Sequence, residues 1–127
     1  MVFRNPSTIH KPIGSYSHQA EVGANAKWLV MSAQAGVDKN GEIPEDVIKQ
    51  LEIALDNIFL NLEAAGMTKK NLVKIVFYFA SPVETGLRRS VIKSKLGDHH
   101  PCISVIYVSG LATDALKVEI DAWACAE

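Results

Sequence analysis

The sequence predicts an α+β fold in which one sheet carries two helices on one face. Three observations predict it. A long segment of helical period, Pro44–Gly66, and a shorter one within Glu84–Leu96 are set between segments of strand character. The runs Leu72–Ala80 and Cys102–Val108 are rich in β-branched and aromatic residues, which favour strands. The resulting order of two strands, helix, strand, helix and two strands is that of helices layered on a sheet.

Taken in order, "PIGSYSHQA" (Pro12–Ala20) reads as a loop entering a first strand, with Pro and Gly as punctuation and serines that satisfy turns. "KWLVMSAQAGV" (Lys27–Val37) reads as a strand that breaks near Ala33–Gly36, and "DKNG" (Asp38–Gly41) is a turn. The first helix opens at Pro44 among acidic residues and closes at Gly66, a C′ glycine. Its residues Val47, Ile48, Leu51, Leu55, Ile58, Phe59 and Leu62 form one apolar stripe. "SPVE" (Ser81–Glu84) has the spacing of a capping box, with Pro82 at the first helical position, and Gly97 ends the second helix. "PCISVIYVSG" and "ALKVEIDAWACA" then read as two strands joined by a short turn around Leu111–Asp114.

The chain of 127 residues has single-domain size (1–127), and 48% hydrophobic with 21% charged residues is a globular composition. A net charge of −1 gives no electrostatic footprint for nucleic acid or anionic membrane. No stretch approaches the roughly 18 apolar residues of a membrane span, and the start lacks the apolar core of a secretory signal. A reducing compartment is therefore expected, with Cys102 and Cys125 as free thiols. The four histidines show no zinc-ligand spacing, and neither metal nor cofactor is expected.

Both alternating faces of Leu72–Ala80 and Cys102–Val108 are largely apolar, as in a sheet covered on both sides. Two helices cover one side, so a second copy of the chain is expected on the other. In the last strand Val118, Ile120, Ala122 and Ala124 make a core face, which turns Glu119 away from the helices. If the terminal strands form a hairpin in which residues 103 and 119 share a face, Cys102 and Cys125 fall on opposite faces and cannot be bridged.

The ordered set "IGSYS", "MSAQAGVDKNGEIPEDVIKQ", "ALDNI", "LEAAG", "LVKIVFYF" and "LKVEIDAWA" resembles the reactive-intermediate deaminase family, also called RidA/YjgF, endoribonuclease L-PSP or translation inhibitor. The resemblance spans nearly the whole chain. It implies a chorismate-mutase-like two-layer α+β sandwich and a homotrimer with pockets in the clefts between subunits. It also implies a cytoplasmic role in hydrolysing reactive imines and enamines to keto acids and ammonia. Tyr16 matches the family's cleft tyrosine, Ser32 the serine of its "SGQ", and Glu119 the glutamate that positions the attacking water. Without the resemblance, Glu119 is a charge on a solvated strand face.

One position departs from the pattern in a way that bears on chemistry. The family's "PARS" carries an arginine for the substrate carboxylate, and this chain reads Pro101-Cys102-Ile103-Ser104. Isoleucine offers neither charge nor donor, and a guanidinium–carboxylate pair supplies charge-assisted hydrogen bonds of ~1.5–3 kcal/mol each. Ile103, Val105 and Tyr107 then shape the pocket; Arg88 and Arg89 fall near a family asparagine that borders the cleft, and of the two Arg89 is the favoured substitute cation, against the plainer reading of a solvated helix arginine. Milder departures are Ser15, Gln19 and Ala33. The leading expectation is an imine or enamine hydrolase that is not a standard 2-iminopropanoate or 2-iminobutanoate deaminase. A non-catalytic trimer that binds a small metabolite, and a ribonuclease or translation inhibitor, are the alternatives.

Overall fold

In the computed structural model, which describes residues 1–127, the long apolar stripe becomes helix α1 (Val47–Ala64). Leu51, Ala54, Leu55, Ile58 and Leu62 are fully or almost fully buried along it, each larger side chain contributing about 1.5–3 kcal/mol of burial. The helix opens at Val47, later than the expected Pro44, which lies in the preceding loop; Asp46 caps it, its carboxylate accepting from Ile48 N–H. At the other end Gly66 adopts φ 71°, the left-handed conformation that makes glycine favoured at C′.

The chain has seven strands in two sheets. Strands β1 (Val2–Arg4) and β2 (Gln19–Glu21) pair antiparallel as a small ribbon, so the N-terminal residues form a strand that the sequence pattern did not reveal. In the main sheet β3 (Lys27–Val30) and β4 (Gln34–Ala35) are two pieces of one edge. Both pair with β7 (Val118–Ala126). Val30 faces Trp123 and Gln34 faces Ile120, so three residues of the edge span two of β7. The break is thus a one-residue bulge at Met31–Ala33, earlier than the expected Ala33–Gly36.

A single 3₁₀ turn, Lys69–Asn71, leads into β5 (Leu72–Phe79), which runs antiparallel to β7 and parallel to β6 (Cys102–Tyr107). Helix α2 (Thr85–Leu96) makes the crossover between the parallel strands. Its N-cap is Glu84, whose carboxylate accepts from Gly86 and Leu87 N–H. The expected capping box at Ser81–Glu84 does not form: Pro82 precedes the helix, and Ser81 Oγ turns to the Pro82 carbonyl.

The two terminal strands do not make a hairpin. The main sheet runs β3-β7-β5-β6, with β5 inserted between β6 and β7. The connection clasps the end of β5, where Val108 N–H donates to Phe79 and Ala80 N–H to Lys117. This arrangement corrects two expectations. Ile75 faces Ile103 on one side and Ala122 on the other, while Tyr78 faces both Ile106 and Glu119. Ile103 therefore looks towards the helices and Glu119 away from them, on opposite faces of the sheet. Cys102 and Cys125, conversely, share a face, because Cys102 aligns through Lys74 with Trp123. Both thiols are free. Two strand spacings of about 4.8 Å already exceed the reach of a disulfide.

The core lies between the helices and one face of the sheet, where Ile75, Phe77, Phe79, Val118, Ile120 and Ala122 meet Leu51, Leu55, Ile58, Ile92 and Leu96. Gln50 is the polar exception, buried completely. Its Nε2 donates to the carbonyls of Pro44 (2.7 Å) and Ala115 (3.0 Å), and its Oε1 accepts from Lys117 N–H (2.9 Å). Gly36 packs directly on the backbone of Gln50; a Cβ there would lie 2.5 Å from Gln50 Cα. The opposite face of the sheet leaves the large apolar side chains Trp28, Val30 and Ile106 48%, 67% and 41% exposed. No helix is long and apolar enough to cross a membrane.

Candidate functional site

The loop Pro12–Ser17 is pinned by its last residue. Ser17 is buried, its N–H donating to the Pro101 carbonyl (3.1 Å) and its Oγ to the His100 carbonyl (2.6 Å). This double clasp fixes the loop beside the start of β6. Within the loop, Tyr16 N–H donates to Gly14, and Tyr16 Oη accepts from Ile13 N–H at 3.3 Å. The tyrosine side chain is thus folded back on its own turn, with its ring edge-on to His18.

A cleft of about 750 Å³ opens between this turn, the exposed flank of α2 and the helix-facing side of β6. The turn supplies Ile13, Gly14, Ser15 and Tyr16; the strand supplies Ile103 and Val105. Helix α2 contributes Gly86, Arg88, Arg89, Ser90, Ile92 and Lys93. Tyr16, Arg89, Ile103 and Val105, four of the seven residues singled out in the sequence, therefore meet in one cleft. Tyr107 stands at its edge, packed against Phe79.

Arg88 also lines the cleft. Its Nη1 donates to Tyr107 Oη at 3.3 Å, while its Nε is shielded from solvent and has no hydrogen-bond partner. Sequence reasoning weighed both arginines and favoured Arg89, which is the more exposed of the two. Spacing along the helix does not separate them, since Arg88 and Arg89 stand four and three residues before buried Ile92; the half-burial of Arg88 and its bond to Tyr107 do.

Ser32 and Glu119 lie elsewhere. Ser32 sits in the bulge between β3 and β4, its carbonyl accepting from Gln34 Nε2. Glu119 pairs with Ala35 and Tyr78 on the sheet face away from α2. One chain thus holds two separated sets of candidate residues. No group of three or more His, Cys, Asp or Glu side chains is placed to hold a metal ion. Burial pushes the Cys102 thiol pKa up, with Lys74 opposing the shift, so this cysteine is a poor thiolate nucleophile.

The sequence model of the family described as Endoribonuclease L-PSP matches residues 7–126. A RutC family protein of Pyrococcus horikoshii is 34% identical over 119 residues, 92% of this chain and 91% of the relative. An Escherichia coli protein named 2-iminobutanoate/2-iminopropanoate deaminase is 29% identical over 114 residues, 87% of this chain and 86% of its own length. Among solved structures, the Rid-family protein YyfB of Yersinia pestis superposes with a TM-score of 0.86 at 26% identity, covering 98% of both chains. The structure of E. coli TdcF with bound serine superposes with a TM-score of 0.73 at 27% identity, covering 91% of both.

Proposed function

The chain belongs to the endoribonuclease L-PSP (RidA/YjgF) family, and from that premise we propose that it hydrolyses a reactive imine or enamine to a carbonyl compound and ammonia. The observation that carries this reading is the cleft that gathers Tyr16, Ile103 and Val105, in a chain whose relatives include proteins named as deaminases of such intermediates. The reading places the reaction in the cytoplasm, where the free thiols Cys102 and Cys125 stay reduced.

In this reading the working unit is a homotrimer. The apolar sheet face bearing Trp28, Val30 and Ile106 is covered by other copies. Packing across that face brings Glu119 and Ser32 of one copy to the cleft of the next. Glu119 holds a water against the carbon of the C=N bond, and the low local dielectric of a half-dry cleft strengthens that hold. Water adds to the carbon, its proton passing through the carboxylate to nitrogen, and the carbinolamine then collapses to C=O with expulsion of ammonia. An enamine first tautomerises to the imine, its β-carbon gaining a proton and its nitrogen losing one. Tyr16 and Val105 bound the substrate, with Tyr107 at the cleft's edge and Arg89 at its mouth.

Ile103 sets this chain apart from a standard 2-iminopropanoate or 2-iminobutanoate deaminase, because it removes the strand-borne cation expected for the substrate carboxylate. Ammonia release from freshly generated 2-aminoacrylate and from a panel of 2-imino acids tests the reading. Hydrolysis of at least one member, lost in Glu119→Gln, is expected. No turnover across the panel would favour a binding protein without catalysis.

A further inference from the structure

The cleft carries a charge imbalance. Arg88, Arg89 and Lys93 line it, and no carboxylate does. None of the three takes part in the chain's salt bridges, which join the N-terminus to Glu127, Arg4 to Glu21 and Lys95 to Asp56. The nearest carboxylate on the same helix, Glu84, is committed to the Gly86 and Leu87 amides. Arg88 is the best placed of the cations: it is half-buried, its Nε lacks a partner, and the only hydrogen bond of its side chain is the 3.3 Å contact to Tyr107 Oη. A guanidinium with open donors and a shielded Nε calls for an anion, and its planar fork matches a carboxylate. The opposite wall is apolar, made by Ile103 and Val105, and the volume exceeds what a three-carbon acid fills.

We infer that the cleft takes a carboxylic acid with an apolar tail, its carboxylate on Arg88 and its tail against Ile103 and Val105. The inference rests on the cleft being the small-molecule site and deepens that reading. The anchor moves from strand to helix, and the position vacated by charge becomes part of the tail pocket. Arg88 acts here in binding, whatever the chemistry that follows.

Three unreactive probes test this by titration calorimetry on the full chain: 3-phenylpropanoate, propanoate, which lacks the tail, and 3-phenylpropan-1-ol, which lacks the charge. The complete acid should bind about tenfold or more tightly than either, since each lost interaction is worth roughly a decade. Arg88→Gln should weaken the acid by about tenfold and leave the alcohol unchanged, a larger loss of acid affinity than Arg89→Gln causes. Arg88→Lys, a milder replacement, should fall between wild type and Arg88→Gln. Equal affinity for acid and alcohol, equal affinity for propanoate and 3-phenylpropanoate, or an acid affinity indifferent to Arg88→Gln or Arg88→Lys would overturn the inference. So would inorganic phosphate binding as tightly as the acid. Because the probes do not react, absence of imine hydrolysis leaves this test intact, and failure of the test leaves hydrolysis to be judged on its own assay.

Discussion

Ile103 and Glu119 occupy opposite faces of the same sheet, Ile103 in register with Ile75 and Glu119 with Tyr78. A small molecule lying on Ile103 in the cleft cannot touch Glu119 of the same chain, so a site using both residues must be shared between copies. Sedimentation should give about three times the 13.9 kDa chain mass. Mixing and reassembling Glu119→Gln with Arg88→Gln should restore activity to about a quarter of wild type, the fraction of clefts that draw an intact half from each variant. No recovery on mixing, with each variant shown to assemble and exchange, would place the reaction within one chain.

Val30, 67% exposed in the isolated chain, faces Trp123 on the sheet surface away from the helices. Val30→Asp should convert the assembly to monomers while the far-ultraviolet circular dichroism stays that of the wild type. An unchanged sedimentation coefficient would show that the subunits meet elsewhere.

Gly36 and Gln50 touch backbone to backbone. Gly36→Ala would drive a methyl to 2.5 Å from Gln50 Cα and 2.6 Å from its carbonyl oxygen, atoms that cannot swing aside. A loss of about 3 kcal/mol is expected, at the upper end of overpacking costs, read as a lower midpoint in urea. Gln50→Met keeps the volume but strands the buried Lys117 N–H and two carbonyls, and should cost about 2–4 kcal/mol. A neutral result for either would mean the α1 loop contacts are far softer than drawn.

Ile103→Arg returns a guanidinium to the strand. Turnover of 2-iminopropanoate, expected to be weak in the natural chain, should rise by about tenfold or more if carboxylate binding limits it. The new charge enters a half-buried wall near Arg88 and Arg89, so assembly must first be checked by sedimentation. Robust turnover by the natural chain, abolished in Arg88→Gln, would instead assign the anchoring of small imino acids to the helix.

Glu84 caps α2 through the Gly86 and Leu87 amides, and these bonds hold its pKa below the ordinary carboxylate value. A depressed folded-state pKa means that its contribution is fully present above the unfolded-state pKa and is lost as pH falls through the folded-state value. Glu84→Gln should therefore melt lower than wild type at neutral pH, with the gap closing in acid below about pH 4. A gap that widened in acid would contradict the cap.

Local pattern determined much of this protein. The stripe Leu51, Leu55, Ile58 and Leu62 has one physical solution, a helix with that face buried, and Gly66 marks its end because few other residues tolerate the left-handed conformation there. Alternation in Val118–Ala124 told the core face of the last strand from the face bearing Glu119. Tyr16, Ile103 and Val105 were legible as neighbours only through an ordered set of motifs, each weak alone. Tertiary structure decided the rest, because strand order and register are long-range choices that no residue encodes locally. A turn-like segment at Leu111–Asp114 resembles a hairpin in sequence, yet β5 intervenes between the strands it joins, and that insertion put Ile103 and Glu119 on opposite faces. The same holds for Gln50, a polar residue whose burial depends on three backbone groups brought together only by the fold. Arg88 gained its place in the cleft from the phase of α2 against β6, a packing relation set by the buried Ile92 and Leu96 beneath it.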